Sequence, residues 1–284
     1  MRIIALSIVA VAGFAAAQDA ADPPPLDPGS SDREIVAHMY RHELNQTQTD
    51  ALEKHFPDIS RDRAYAIQRL RLEEMGKTSP RAGWKLAWTR KTEDAALDPA
   101  LGHYLANRVY SEGSPVSTEY FTNGTAAAEP EIVFYLDKDL PGPVVTRQQV
   151  VDAVEAVGIG MEFVAWRALG PRTREHAIVD NGIAVGVLLA DARYSLDEVD
   201  FTRETGSVTV GEETNSGPAT SIMGEDPLAA LVWAANELPK YGMHLKAGDF
   251  VVSGTVCVPL QVSAGDTASI SFTNLGTLNA EFVE

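Results

Sequence analysis

Three glutamates are the residues in this chain best placed by type and spacing to do chemistry. Glu129-Pro130-Glu131 sets two carboxylates at i and i+2 on extended backbone, where alternate side chains share one face. Pro130 keeps Glu129 extended, because a residue before proline is steered out of the α region. Like charges so close repel unless a proton or cation lies between them. A solvated strand start in an acidic protein has the same pattern, so the pair alone admits both readings. Glu162 lies in an otherwise apolar run, between Met161 and Phe163. A lone carboxylate there is costly unless paired, protonated or bound to metal. Three carboxylates, without a convincing Cys/His cluster, suit a hard divalent ion such as Mg²⁺ or Mn²⁺.

Other reactive side chains are less clearly placed. In Gly83-Trp84-Lys85-Leu86-Ala87-Trp88-Thr89, strand alternation puts Lys85 on the face opposite Trp84 and Trp88, as either a surface or a functional lysine. Arg167 follows Glu162 by five residues, which turns it away from Glu162 unless the strand is bulged. His38 and His42 stand at i, i+4 on a helix, but HMYRH lacks the glutamate of HExxH and reads as a solvated helix face. His103 and His176 have no obvious partners. Ser253 in VVSGT is not a G-x-S-x-G elbow. The sequons at Asn45 and Asn123 carry glycans only in a eukaryotic source.

The elements that must position these residues follow from patterning. Residues 32–55 read as helix, with Ile35, Met39 and Leu52 as anchors, and a second helix runs from Ser60 to a stop at Gly76. Strands are expected at 83–89, 131–136, 160–169 and 182–190. Thr146 to Gln149 has capping-box spacing ahead of Val150, Val151, Val154 and Val157, which predicts a helix ending at Gly158. Asp226-Pro227 opens another helix, closed by Gly242, and the C-terminus reads as strands joined by tight turns. Helices first, then many strands with few helices between them, make an α+β fold with a mixed, curled sheet. A helical part over 31–82 is expected on a β-rich catalytic domain over 83–284.

The 284 residues are 45% hydrophobic and 22% charged, which excludes a mainly disordered chain and a multi-span membrane protein. A formal charge of −17 argues against general nucleic-acid binding, which needs a basic surface. The single cysteine, Cys257, excludes an internal disulfide. Arg2, the apolar run Ile3 to Phe14 and Ala15-Ala16-Ala17 form a signal-peptide pattern with cleavage near Ala17-Gln18. Export to a periplasm or the outside is therefore expected, with no membrane attachment after cleavage. Residues 18–30 read as a flexible linker.

From Ala64 onward the motifs resemble the 2-keto-4-pentenoate hydratase branch of the fumarylacetoacetate hydrolase superfamily. AYAIQ (64–68) and GWKLAWT (83–89) are similar to its helix and Gly-x-Lys-x-Gly-Leu-Thr strand. AEPEIVFYLDKDLP (128–141) is similar to its Glu-x-Glu strand and turn, with Glu162 and Arg167 at its third glutamate and its arginine. Asp180-Asn181-Gly182 and DPLAALVWAANELPKYGMHLKAGDFVVSGT (226–255) continue the match. The resemblance implies a curled β-roll core and an enzyme, a metal-dependent lyase of hydratase type used in the breakdown of aromatic compounds. It would act on a short 2-keto-enoate or 2-hydroxydienoate through a metal-stabilised enolate. It also implies metal ligands Glu129, Glu131 and Glu162, catalytic Lys85, Ser253 and Thr255, and substrate contacts from Lys85, Arg167, Asp180 and Asn181. A homo-oligomer is implied as well. The alternatives are a decarboxylase or C–C hydrolase of 2-keto acids, or an exported homologue that binds a keto acid without turnover. The last is motivated by Ala100-Leu101-Gly102, where the family has Asp-Phe-Gly. Ala87 and Trp88 replace a Gly-Leu pair and should narrow the pocket. Asp226 stands where a histidine is usual.

Overall fold

The computed structural model describes residues 22–91, 97–170 and 173–284. The expected signal peptide, its cleavage site and residues 18–21 of the expected linker lie outside them. The described part of that linker is held rather than loose. Leu26 is buried, and the Pro24 carbonyl oxygen lies 2.6 Å from His38 Nδ1.

Among the described residues the α-helices are α1 (Asp32–Leu44), α2 (Ala51–His55), α3 (Arg61–Met75), α4 (Arg147–Val151), α5 (Arg174–Val179) and α6 (Pro227–Glu237). Ser31 caps α1 through a reciprocal capping box with Glu34, and Ser60 caps α3. The helix expected over 32–55 is broken between α1 and α2, where Gln46 takes a φ of +55°. The helix expected to reach Gly158 ends at Val151, and Val154 and Val157 instead lie on a strand. Their β-branched side chains lose χ1 freedom in a helix and pack well on a pleat, which outweighs the helical spacing.

The strands form two sheets. The larger uses β1 (Arg81–Ala87), β2 (Ala100–Leu105), β3 (Val109–Ser111), β5 (Thr125–Leu136), β6 (Val154–Val164), β7 (Ala184–Leu189), β10 (Phe250–Val252) and β11 (Leu260–Ser263). Its order is β2-β1-β10-β5-β6-β7-β3, with β11 also paired to β5. The smaller uses β4 (Val116–Ser117), β8 (Thr205–Val210), β9 (Glu213–Pro218), β12 (Thr267–Phe272) and β13 (Gly276–Val283), in the order β4-β13-β12-β8-β9. Parallel pairs β1–β10 and β3–β7 stand among antiparallel ones, so the larger sheet is mixed. The helical segment is not separate from it: Ile35, Met39, Tyr65 and Ile67 share one core with Trp84, Leu101 and Phe134.

The larger sheet curls strongly. β2 and β6 are four strands apart, about 19 Å on a flat sheet, yet the Tyr104 hydroxyl on β2 lies 2.5 Å from Glu162 on β6. The outer edge of β2 is sealed by side chains in place of a further strand. The Leu101 N–H donates to Tyr65 and its carbonyl accepts from Gln68, at 3.1 and 2.7 Å. At His103 the carboxamide of Asn181 takes both roles, accepting from N–H at 3.0 Å and donating to the carbonyl at 2.9 Å. No backbone group at these two positions is left to template another chain.

Strand β5 changes partner along its length. Val133–Tyr135 pair with β10, and Thr125–Ala128 pair with β11. Pro130 falls at the opening between them, on the side where its missing N–H breaks no ladder bond.

Candidate active site

The pleat gathers the three glutamates. Glu129 and Glu131 share a face of β5, and Glu162 on β6 pairs directly with Glu129. Each offers one oxygen, and these oxygens lie within 4.8 Å of one another. Lys85 reaches the same point from β1, its Nζ 2.9 Å from Glu162 Oε1. Gly102, opposite Lys85, makes room for it: a Cβ there would come 2.7 Å from Lys85 Cγ and 2.4 Å from the Asn181 carbonyl oxygen. Glu131 Oε2 accepts the Gly254 N–H at 2.6 Å. Gly254 has a φ of +93°, and a Cβ would lie 2.0 Å from Thr89 Oγ1, so only glycine fits.

Glu131, Glu162 and Lys85 are almost fully buried, while Glu129 is partly exposed on a cavity of about 520 Å³. Burial first, and the charge of Glu162 second, push the Glu129 carboxyl up to about 8. Glu131 rises well above the carboxylate range for the same reasons, with Glu129 adding to them. Burial opposes the Lys85 ammonium, but Glu162, Glu129 and Glu131 outweigh it, and its pKa is raised. Burial, reinforced by Glu162, keeps the Tyr104 phenol protonated, so it donates to Glu162 Oε1.

The cage fits a divalent cation. Among the described residues, Glu131 Oε1 and Glu162 Oε2 are buried without a partner, although the other oxygen of each is firmly held. Buried polar atoms are rarely left so. Three carboxylates and one ammonium leave two negative charges, which one divalent ion balances. All donors are oxygens, the preference of hard ions.

The cavity walls are Leu86, Ala87, Trp88, Val164, Trp166 and Ile183, and Gln48, Arg90, Thr255 and Gln261 supply polar groups. Trp88 and Trp166 lie 6.2 Å apart, and the Arg174 guanidinium covers the Trp88 ring.

A model of the fumarylacetoacetate (FAA) hydrolase C-terminal domain matches residues 85–283, a span holding all four charged residues of this site. The chain belongs to the fumarylacetoacetate hydrolase family. Among its relatives, the 2-oxo-hept-4-ene-1,7-dioate hydratase of Escherichia coli is 29% identical over 266 residues, covering 88% of this chain and 97% of that protein. The 2-hydroxyhexa-2,4-dienoate hydratase of Comamonas testosteroni is 28% identical over 236 residues, covering 80% and 88%. The 4-oxalocrotonate decarboxylase from Pseudomonas putida G7, solved with magnesium and adipate, superposes with a TM-score of 0.81 at 22% identity, covering 89% and 99%. That last likeness is one of fold.

Within the family fold, several residues expected at the site are placed elsewhere. Arg167, Asp180 and Asn181, expected to touch substrate, do not line the cavity and instead form a buried brace beside it. β6 ends at Val164, so Arg167 is not on the strand. Its Nε and N–H bind the Asp180 carboxylate at 2.5 and 3.0 Å. Asn181 is spent on the β2 edge. Ser253 is fully buried, its hydroxyl accepting the Ile132 N–H and donating to the Gly254 carbonyl. Thr255 does border the cavity, with its hydroxyl donating to the Cys257 carbonyl. Ala100 is buried opposite Ala87, on the Lys85 face of β1–β2. His38 is not on a solvated face: it is buried, bonded to Pro24 and Thr49. His176 holds the Phe56 carbonyl oxygen. Sequence reasoning missed Tyr104; its alternation with Gly102, across from Lys85, was the available signal.

Proposed function

We propose that this chain is a divalent-metal-dependent hydro-lyase of hydratase type, acting on a short 2-keto-enoate or 2-hydroxydienoate. The observation that carries this reading is the cage with two unspent carboxylate oxygens beside Lys85, opening on a cavity sized for a small acid. Family membership and the hydratase relatives support it.

Glu129, Glu131 and Glu162 would hold the ion. When bound, it supplies a Lewis acid that polarises the C2 oxygen of a 2-keto acid and offsets the C1 carboxylate. The Gly254 N–H, Lys85 and Tyr104 each fix a carboxylate oxygen, so the free oxygens are presented without reorganisation. Lys85 keeps its proton and places a fixed positive charge where oxygen charge develops on the substrate. The apolar walls around Trp88 and Trp166 exclude bulk water from the alkenyl tail. Mg²⁺ is the favoured ion, with Mn²⁺ second. Export through the segment 1–17, and assembly as a homo-oligomer, belong to the same proposal.

A decarboxylase of 2-keto-dicarboxylates is the second reading. Arg90 favours it, because this arginine borders the cavity and could receive a second carboxylate. The test is turnover of 2-hydroxypenta-2,4-dienoate by the mature chain with Mg²⁺, followed by loss of dienoate absorbance, beside a panel of 2-keto-dicarboxylates. Dienoate turnover supports the hydratase. Carbon dioxide release from the panel alone supports the decarboxylase. Oxalate binding without turnover of any member overturns both and leaves a keto-acid-binding protein.

A further inference from the structure

A second built site lies behind the cage, on the far side of β2. Glu43, near the end of α1, accepts from Arg71 at 2.6 Å and from Arg108 at 2.8 Å, and Arg167 stands 4.0 Å from it. Arg167 pairs on its other side with Asp180. All five residues are buried, none more than 6% exposed. Three guanidiniums thus face two carboxylates, and one positive charge is left over. The carboxylate cage has no such residue once its divalent ion is counted. A buried glutamate or lysine can shed an unbalanced charge by gaining or losing a proton, but arginine stays protonated at any ordinary pH. An uncompensated charge in a dry interior is strongly destabilising.

The same cluster holds the donors to meet a counter-ion. Arg71 Nε, Arg108 Nη1 and both ring nitrogens of His103 are buried without a partner among the described residues. Arg71, His103 and Arg108 line one enclosed cavity with Glu43 and Asn181. Its volume is about 10 Å³, the room of a single water-sized sphere. That leaves no room for phosphate, sulfate or a carboxylate, whereas a monatomic halide, only slightly wider than a water, needs the Arg71 and Arg108 guanidiniums to give by a few tenths of an ångström. A water there would leave the charge unbalanced.

We propose that this cavity binds one small monovalent anion of halide type, chloride in ordinary solution, held by Arg71, Arg108 and His103. The anion joins α3, β2 and the turn after β2, and so braces the strand whose Tyr104 holds Glu162.

The test uses the full mature protein. Crystals grown with sodium bromide in place of chloride are measured at the bromine absorption edge. An anomalous peak between Arg71 and Arg108 is expected; a site holding only water, with no anomalous signal, overturns the proposal. Thermal unfolding in sodium chloride is then compared with sodium gluconate at equal ionic strength. Ligand linkage predicts a higher midpoint in chloride, rising with its concentration. Arg108→Gln, which removes the surplus charge, should abolish that difference. An unchanged difference overturns the assignment, and if this variant does not fold the bromide experiment on the parent protein decides.

Discussion

With no ion in the cage, stability should fall as pH rises above neutrality. The folded Glu129 carboxyl sits at about 8, against an ordinary value of 4.5. Between those values the folded state holds a proton that the unfolded chain has released. Stability therefore declines with rising pH, by about 1.4 kcal/mol per pH unit for one proton. Glu131 acts in the same direction. From pH 6.5 to 8 the loss from one proton is about 2 kcal/mol, or roughly 4–8 °C in midpoint for a chain of this size. The window matters, because His38, His42 and His103 have depressed pKa values and add the opposite trend below pH 6.5. With the ion bound, the carboxylates are ionised and the decline disappears, so stabilisation by metal should grow with pH. Urea unfolding, followed by tryptophan fluorescence at pH 6.5, 7.25 and 8, would be run in EDTA and in saturating Mg²⁺. A gap between the two that stays flat or narrows with pH refutes the reasoning.

Further outcomes follow from the same geometry. Glu131→Gln should lower Mg²⁺ affinity at least tenfold while leaving stability in EDTA unchanged or higher; calorimetry showing parental affinity would remove Glu131 from the cage. Lys85→Met should weaken oxalate binding to the Mg²⁺-loaded protein far more than it weakens Mg²⁺ itself, and equal losses would make Lys85 structural. Asn181→Ala strips two buried backbone groups of β2 of their partners, at a cost of about 2–4 kcal/mol in urea unfolding; a change under about 0.5 kcal/mol would mean that solvent or another group seals that edge. Arg90→Leu should weaken binding of a 2-keto-dicarboxylate but not of pyruvate, and a matching loss for both ligands would deny it a role at a second carboxylate.

Much of the site was legible because strand geometry is periodic. Two glutamates two apart had to share a face, and a glutamate within an apolar run needed a partner; antiparallel pairing of β5 with β6 supplied it. The capped helix from Ser60 to Gly76 was readable for local reasons of the same kind. Lys85 was ambiguous because alternation tells faces apart but does not say which is covered, and the curl of the sheet buries both. Strand alternation turned Arg167 away from Glu162 and only the family resemblance put it at the substrate; the chain leaves β6 at Val164 and spends its guanidinium on Asp180. Asn181 and Tyr104 depend on closure between β2 and distant parts of the chain, which no local pattern encodes. The hairpin β8–β9 was not read, since its small and polar residues give little alternation, and β11 escaped because its alternation spans only the four residues Leu260–Ser263.

The change of partner along β5 separates two jobs that many sites entangle. Of the acids that would grip a cation, two ride on β5 and the third on β6, strands locked to each other along their ladder, while the cavity segments around Trp88 and Pro259 come from chain outside that ladder, after β1 and before β11. Substitutions in those segments can reshape what the cavity admits without loosening the grip below. A scaffold divided in this way can exchange one small acid for another by altering its walls alone.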